Sequence, residues 1–552
     1  MSKRLVLAVF LVVLMTGCQV RPAAVPAMAG VWEPPIIEQP PNSEVRSVSP
    51  ANPIQSPLVD GERHVSPANT IQSPSVDEER HVSPENPAAV EEPEELSFQS
   101  PPATEPETTP VSANPPAVNS PAVNPHTPAN PAILLTPEQQ NALAAVSGND
   151  AAGSGASSTP PAPPPAQPSR PALTQNTRGP LDVEVRAVWI SFLELGPWLR
   201  GRSEAQFTAT VREAFDNIQE FGLNTVIVQV RPFADALYES AYFPWSHIAT
   251  GVEGQNPGFD PLEIMVSEAR ARGLRIEAWI NPYRIRHNVN THPLAQNSPA
   301  RAWINDGSGR ATVAPSGFGT FNPASRDVQD LIINGVRELV RNYDIDGIHI
   351  DDYFYPQTGL DFDNTFDAAS FRAYQAAGGR LSLGDWRRQN VDDLIRRMYF
   401  AIKEENPNAL FGISPQSIVD VNYNRLFFDV ERAVRAGHFD YIAPQIYFGF
   451  NHSTQPFAAN LDTWSRMVAG TDVKLYIGLA SYKAGVPDNW AGAGSAEWQN
   501  NSNIQARQVQ LSRQANNYAG FILFRYDSVF RPDASIRAHV QRENANLRAL
   551  LN

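Results

Sequence analysis

Tyr343-Asp344-Ile345-Asp346-Gly347-Ile348-His349-Ile350-Asp351-Asp352-Tyr353-Phe354-Tyr355-Pro356 is the stretch that decides the fold. The run Gly347 to Ile350 is short and apolar apart from His349, as a core strand should be. Alternate side chains of a strand share a face, so Ile348 and Ile350 point one way and His349, Asp351 and Tyr353 the other. An amphipathic helix precedes it. Val328, Leu331, Ile332, Val336, Leu339 and Val340 recur at helical spacing, with Ser325 as N-cap. A helix feeding such a strand implies α/β architecture with a parallel sheet. Ligands of those folds bind at the carboxyl ends of the strands, where Asp351 and Asp352 stand.

Outward from this stretch, the texture alternates strand and helix from Leu181 onward. Strands are expected at Arg186–Phe192, Asn224–Arg231, Leu274–Ile280, Ala409–Ser414, Tyr441–Phe448, Lys474–Tyr482 and Gly520–Tyr526. Helices are expected at Phe207–Phe221, Pro261–Arg272, Val391–Glu405 and Asp533–Leu550, the second with Asp260 as N-cap and Gly273 as stop. Counting the strand at Gly347, eight strands fit a (β/α)8 barrel, a TIM-like fold, over residues 181–552. An open doubly wound sheet is the alternative, disfavoured because no Gly-rich phosphate loop follows the first strand.

The N-terminal third is different. Met1 to Cys18 has a basic start (Lys3, Arg4) and an apolar run from Leu5 to Leu14, the layout of a secretory signal and too short to span a bilayer comfortably. Its ending, Leu14-Met15-Thr16-Gly17-Cys18, resembles a bacterial lipobox, with Cys18 the lipidated residue. Acyl chains there would anchor the protein to a membrane. Gln19, rather than Asp, fits the outer-membrane sorting pattern of a two-membrane envelope, with the protein facing the periplasm. Cys18 is the sole cysteine, which excludes an internal disulfide.

Residues 19–180 are rich in Pro, Ala, Ser and Asn and cannot bury a core, so they read as a disordered linker. Ser47 to Arg63 recurs as His64 to Arg80, a 17-residue direct repeat read as a duplicated linker rather than a solenoid. Ile133 to Val146 could form one short helix. The linker holds 17 acidic and 6 basic residues, −11 of the chain's −15. The acidity therefore says little about what the folded part binds. A flexible coil of this length spans roughly 70 Å root-mean-square.

The distinctive side chains sit at strand ends: Gln229 and Arg231, then Glu277, Trp279, Asn281, Tyr283 and Arg284, then His349, Asp351, Asp352 and Tyr353, then Gln416, Gln445 and Tyr447. Carboxylates among amides, arginines and aromatic rings suit a sugar, because rings stack on pyranose faces and amides and carboxylates bind hydroxyls. Glycoside hydrolysis usually needs two carboxyls, one protonated and one ionised. Burial and neighbouring acids create that pair at neutral pH. Asp351, Asp352 and Glu277 are the candidate catalytic acids. The others, Gln416 aside, are candidate substrate contacts. Each has a structural reading beside the functional one. Asp346-Gly347 reads as the turn before the strand, and His349 serves equally well as a hydrogen-bonded core residue. Arg231 and Arg284 could simply neutralise the acids. No cofactor is expected, and His349 with two aspartates has no specific metal-ligand spacing. No basic aromatic stripe points to nucleic acid.

Five motifs together resemble the glycosyl-hydrolase-like family 10. They are Val185-Arg186-Ala187-Val188-Trp189-Ile190, Ile227-Val228-Gln229-Val230-Arg231-Pro232, Ala278-Trp279-Ile280-Asn281-Pro282-Tyr283-Arg284, Asp346 to Tyr353, and Ala443-Pro444-Gln445-Ile446-Tyr447. The resemblance implies a (β/α)8 glycosidase exported to the cell envelope. One branch consists of lipoproteins that cleave peptidoglycan glycan strands stripped of their stem peptides, between N-acetylmuramic acid and N-acetylglucosamine. It would make those strands the partner, with cell-division proteins as further partners. Position 277, often His in that pattern, is Glu here, and Arg525 also departs from it. More loosely, the central strand is similar to the chitinase-type Asp-Gly-x-Asp-x-Asp-x-Glu. Asp351 matches the last Asp, His349 replaces an Asp, and Tyr353 replaces the Glu. That similarity implies substrate-assisted hydrolysis as the alternative to Asp351 as nucleophile or base with Asp352 or Glu277 as partner. A barrel that binds wall glycan without cutting it, or one that hydrolyses an exopolysaccharide, would share most of these features.

Overall fold

The computed structural model describes Gly179 and residues 182–287 and 292–551. Cys18 with its signal segment, the linker with its repeat apart from Gly179, and the short helix at Ile133–Val146 lie outside the described residues. Among the described residues no helix is long and apolar enough to cross a membrane.

Eight parallel strands close a barrel: β1 (Val185–Ile190), β2 (Thr225–Arg231), β3 (Arg275–Ile280), β7 (Gly347–Asp351), β8 (Leu410–Ser414), β9 (Tyr441–Ile442), β10 (Lys474–Leu479) and β11 (Tyr518–Leu523). They follow one another around the ring in chain order, and β11 returns to β1. The loop after β3 carries a small antiparallel sheet of its own: β4 (Arg284–Arg286), β5 (Ala311–Val313) and β6 (Gly319–Phe321).

Alternation along the strands sorts side chains into two cores. Val188 and Ile190, Val226 and Val228, Ile348 and Ile350, and Ile477 and Leu479 face outward against the helices. Ala187, Trp189, Ile227, Trp279, Leu410, Tyr441, Tyr476 and Ile522 fill the barrel. Two glycines make room for the largest interior rings. A Cβ on Gly412 would lie 1.9 Å from the Tyr441 ring, and one on Gly478 would lie 3.1 Å from Trp189. The barrel is thus a packed core rather than a pore.

The helix before β7 spans Arg326–Asn342, and Ser325 Oγ caps it by accepting from the Val328 amide at 3.4 Å. Asp346 does belong to the turn below β7. It accepts from the Ile276 amide at 2.8 Å and from Arg270 at 2.6 Å, tying the foot of β7 to β3.

Several boundaries differ from the sequence expectation. β1 stops at Ile190 because Ser191 starts a helix, Phe192–Leu199. Ser191 and Glu194 form a reciprocal capping box, a pattern present in the sequence as Ser-x-x-Glu. β9 is two residues long, because Pro444 has no amide hydrogen to continue the ladder. Single bridges at Gln416–Gln445 and Gln445–Gly478 carry the pairing onward. β11 lies about two residues earlier than expected, and Tyr526 opens a short helix. The helix expected from Val391 begins at Leu383, capped by Ser382.

Candidate active site

Asp351 is the last residue of β7, and Asp352 follows it at the carboxyl end of the barrel. The two carboxyls lean apart, each into its own set of donors. Asp351 accepts from Asn281 Nδ2 at 2.7 Å on both oxygens, from Trp279 Nε1 at 3.1 Å, and weakly from the Tyr353 amide at 3.5 Å. Asp352 accepts from Gln416 Nε2 and, at 3.1 Å, from Gln445 Nε2. Gln445 also donates to the Ser414 carbonyl at 2.9 Å, which fixes its orientation.

Asn281 is itself oriented. Its Oδ1 accepts from Gln229 Nε2 at 2.7 Å, and Gln229 Oε1 accepts from the Phe192 amide at 3.1 Å. A relay of amides therefore runs from the loop after β1, across the ends of β2 and β3, to Asp351. It starts at a backbone N–H, which can only donate, so each side-chain amide has one orientation that satisfies both neighbours.

Both carboxyls are 2% exposed. Burial first, then the Asp352 charge, pushes Asp351 up to about 7 against the pull of Arg284 and the donors. Burial raises Asp352 as well. Two such acids side by side titrate as a pair, each making the other harder to ionise. Arg284 lies with its guanidinium 3.7 Å from the centre of the Tyr353 ring. Tyr447 adds a second ring, 5.5 Å from Phe524 and 5.8 Å from Tyr482.

Asp351, Asp352, Gln229, Trp279, Asn281, Arg284, Tyr353, Gln445 and Tyr447 thus come together at the barrel mouth. Glu277 and His349 lie deeper. Glu277 pairs in register with Gly347, four residues before Asp351, which is roughly 13 Å along the strand. Its carboxyl accepts from the Tyr441 hydroxyl at 2.5 Å, and burial pushes it up to about 7. His349 Nδ1 meets the same hydroxyl at 2.8 Å, while Nε2 accepts from Trp189 Nε1 at 3.2 Å and meets Ser414 Oγ at 3.1 Å. Burial drives His349 down to about 3, so the ring is neutral. Because Trp189 can only donate, Nδ1 carries the hydrogen, and the chain runs His349 to Tyr441 to Glu277.

Arg231 and Tyr283 point elsewhere. Arg231 lies over the Phe243 ring at 4.4 Å, and Tyr283 packs in the outer core. Arg231 ends β2 just past an irregular register between Gln229 and Arg231, and Tyr283 lies beyond the end of β3, so alternation fixes neither direction. The backbone amide of Phe192 is a contributor that side-chain chemistry could not reveal. On the loops after β2 and β3 the fold also gathers Asp235, His247 and His292, donors far apart in sequence.

A glycosyl hydrolase-like 10 family model matches residues 184–494. The chain is 35% identical over 369 residues to the glycosyl hydrolase YngK of Bacillus subtilis, covering 62% of this chain and 68% of that one. The chain belongs to the glycosyl hydrolase-like 10 family. It is also 33% identical over 413 residues to the glycosyl hydrolase DigH of Escherichia coli K12, covering 68% of this chain and 90% of DigH. As a member of the glycosyl hydrolase-like 10 family with a carboxyl pair at its barrel mouth, it is a glycoside hydrolase.

Proposed function

We propose that this glycoside hydrolase is a lipid-anchored envelope enzyme, held in the outer membrane facing the periplasm, that cleaves peptidoglycan glycan strands stripped of their stem peptides. Asp351 acts as nucleophile or base, and Asp352 is its partner in the carboxyl pair. The observation that carries the chemistry is the pair of adjacent buried carboxyls, each held by its own amide donors. One acid can then protonate the departing sugar oxygen while the other meets the anomeric carbon or its attacking water. Arg284, Tyr353 and Tyr447 supply the ring faces and the charge that position a saccharide. The substrate and the anchor rest on the motif resemblance and on the lipobox-like Cys18.

The test uses peptidoglycan pretreated with an amidase, with intact peptidoglycan as control. The full chain and Asp351→Asn are incubated with each, and soluble products are read by mass spectrometry. Saccharides released only from the stripped glycan, and lost in Asp351→Asn, support the proposal. Co-sedimentation without products overturns the enzyme reading of this substrate and leaves a wall-binding role. Activity on an exopolysaccharide alone overturns the choice of wall glycan.

A further inference from the structure

Beside the carboxyl pair, the loops after β2 and β3 bring two imidazoles and two acids together. Asp235 and His247 lie beyond β2 with Glu253, and His292 lies beyond β4. Asp235, His247 and Glu253 are buried, at 0%, 5% and 6% exposure. The His247 and His292 rings stack with centroids 3.6 Å apart. Each ring meets one carboxylate: His247 Nδ1 and Asp235 Oδ2 at 2.6 Å, His292 Nε2 and Glu253 Oε2 at 2.8 Å.

This arrangement leaves buried atoms unsatisfied. Asp235 Oδ1 and His247 Nε2 have no hydrogen-bond partner among the described residues. Buried polar atoms of a native fold almost always have one, and leaving one bare costs free energy. Arg231 is near enough for its charge to act on Asp235, yet its two terminal nitrogens are also without partners, so it does not supply the missing bond. Asp235, His247 and His292 each offer a donor atom, and these atoms lie within 4.8 Å of one another.

We propose that Asp235, His247 and His292 bind a divalent transition cation of the zinc type, with Glu253 orienting His292 from behind. The donor set carries the choice of metal. Two imidazoles and a carboxylate suit zinc, whereas calcium and magnesium take oxygen ligands. Bonds of about 2.0–2.1 Å in a tetrahedral site would draw the donors from within 4.8 Å to roughly 3.3 Å, with the stacked rings tilting apart. Glu253 fits the outer-shell carboxylate that commonly fixes a ligating imidazole, and it also accepts from the Ala295 amide at 3.1 Å. The cation would neutralise two buried carboxylates. It would also cross-link the β2 and β3 loops next to Phe233, which lies 5.4 Å from His247 and under Arg284 at 5.9 Å. The site therefore positions the wall that holds Arg284 and takes no part in the bond cleavage.

The test uses the untagged full chain in detergent, stripped with a chelator and titrated with zinc by calorimetry, with metal content measured after dialysis. Cobalt(II) serves as a spectroscopic probe. The expected result is one zinc per chain, a Tm raised by several degrees, and visible cobalt bands of low coordination number. His247→Gln and His292→Gln should each weaken zinc by about 100-fold, and Glu253→Gln by about 10-fold. No saturable zinc uptake by the parent chain overturns the proposal, whatever the variants do. So does unchanged affinity in both histidine variants, or a preference for calcium or magnesium. The parent stoichiometry and cobalt spectrum decide the matter even where a variant fails to fold.

Discussion

Tyr441 donates its hydroxyl hydrogen to Glu277 at 2.5 Å, on a level of the barrel four residues below Asp351. The bond assigns Glu277 to the interior scaffold. Glu277→Gln should leave kcat near the parent value in the product-release assay. A loss as deep as that of Asp351→Asn would return Glu277 to the catalytic set. Tyr441→Phe removes the donor and strands a buried carboxyl, so it should cost about 1–3 kcal/mol of stability in a denaturant titration.

Asp351→Asn and Asp352→Asn should each lower kcat by about 10²- to 10⁴-fold, because each removes one half of an acid–base pair. The circular dichroism of both proteins should match the parent. A pH–rate profile of the parent should be bell-shaped, since the two limbs report the pair as a unit. An unaltered profile in Asp352→Asn would exclude it as the partner acid.

The same pair dictates a pH dependence of stability. Asp351 is raised from 3.8 to about 7 by burial. Its folded form holds a proton that the unfolded chain has already released. Its contribution is therefore fully present below about pH 4 and is lost as pH rises through about 7. Asp351→Asn removes this liability. Its Tm should exceed the parent's by several degrees at about pH 8, and the difference should vanish near pH 4 in calorimetric scans. A variant less stable than the parent at the higher pH would contradict the assignment.

Asn281→Ala deletes the donor to both Asp351 oxygens and should reduce kcat by about 10- to 100-fold with the fold intact, the scale of a hydrogen bond to a charged group. Loss confined to KM would show that Asn281 contacts substrate rather than supporting the acid.

Gly412→Ala tests the packing of the barrel. Its Cβ would fall 1.9 Å from the Tyr441 ring, and the ring is fixed between His349 and Tyr476. A loss of about 3 kcal/mol is expected in urea unfolding. Tyr441→Ala in the same chain should recover part of it.

The barrel was legible because period-two alternation survives in every long strand. Ile348 and Ile350 do face the helices, and His349 does face inward. The strand-end amides were legible too, because Gln229, Asn281 and Gln445 have few structural reasons to stand beside a core. Direction beyond the strand ends was not. Arg231 and Tyr283 turn away from Asp351, since a register irregularity at the end of β2 aims the first and loop geometry the second. Depth was equally hidden: Glu277 and Asp351 share an inward face, but only the pairing of β3 with Gly347 puts them on different levels. The Asp235, His247 and His292 grouping needed the fold itself, because the loops that carry them are brought together by neighbouring strands.

The amide relay has a polarity that the carboxyl pair inherits. Phe192 offers a hydrogen that cannot be withdrawn, and this forces Gln229 and then Asn281 to present nitrogen, never oxygen, to Asp351. A place for negative charge is thus built into the main chain at the start of the helix after β1 before any saccharide arrives. Gln229→Glu would still accept from Phe192 but could not donate onward. Asn281 would then reverse and turn its carbonyl oxygen toward Asp351, converting a seat for an anion into a seat for a neutral acid.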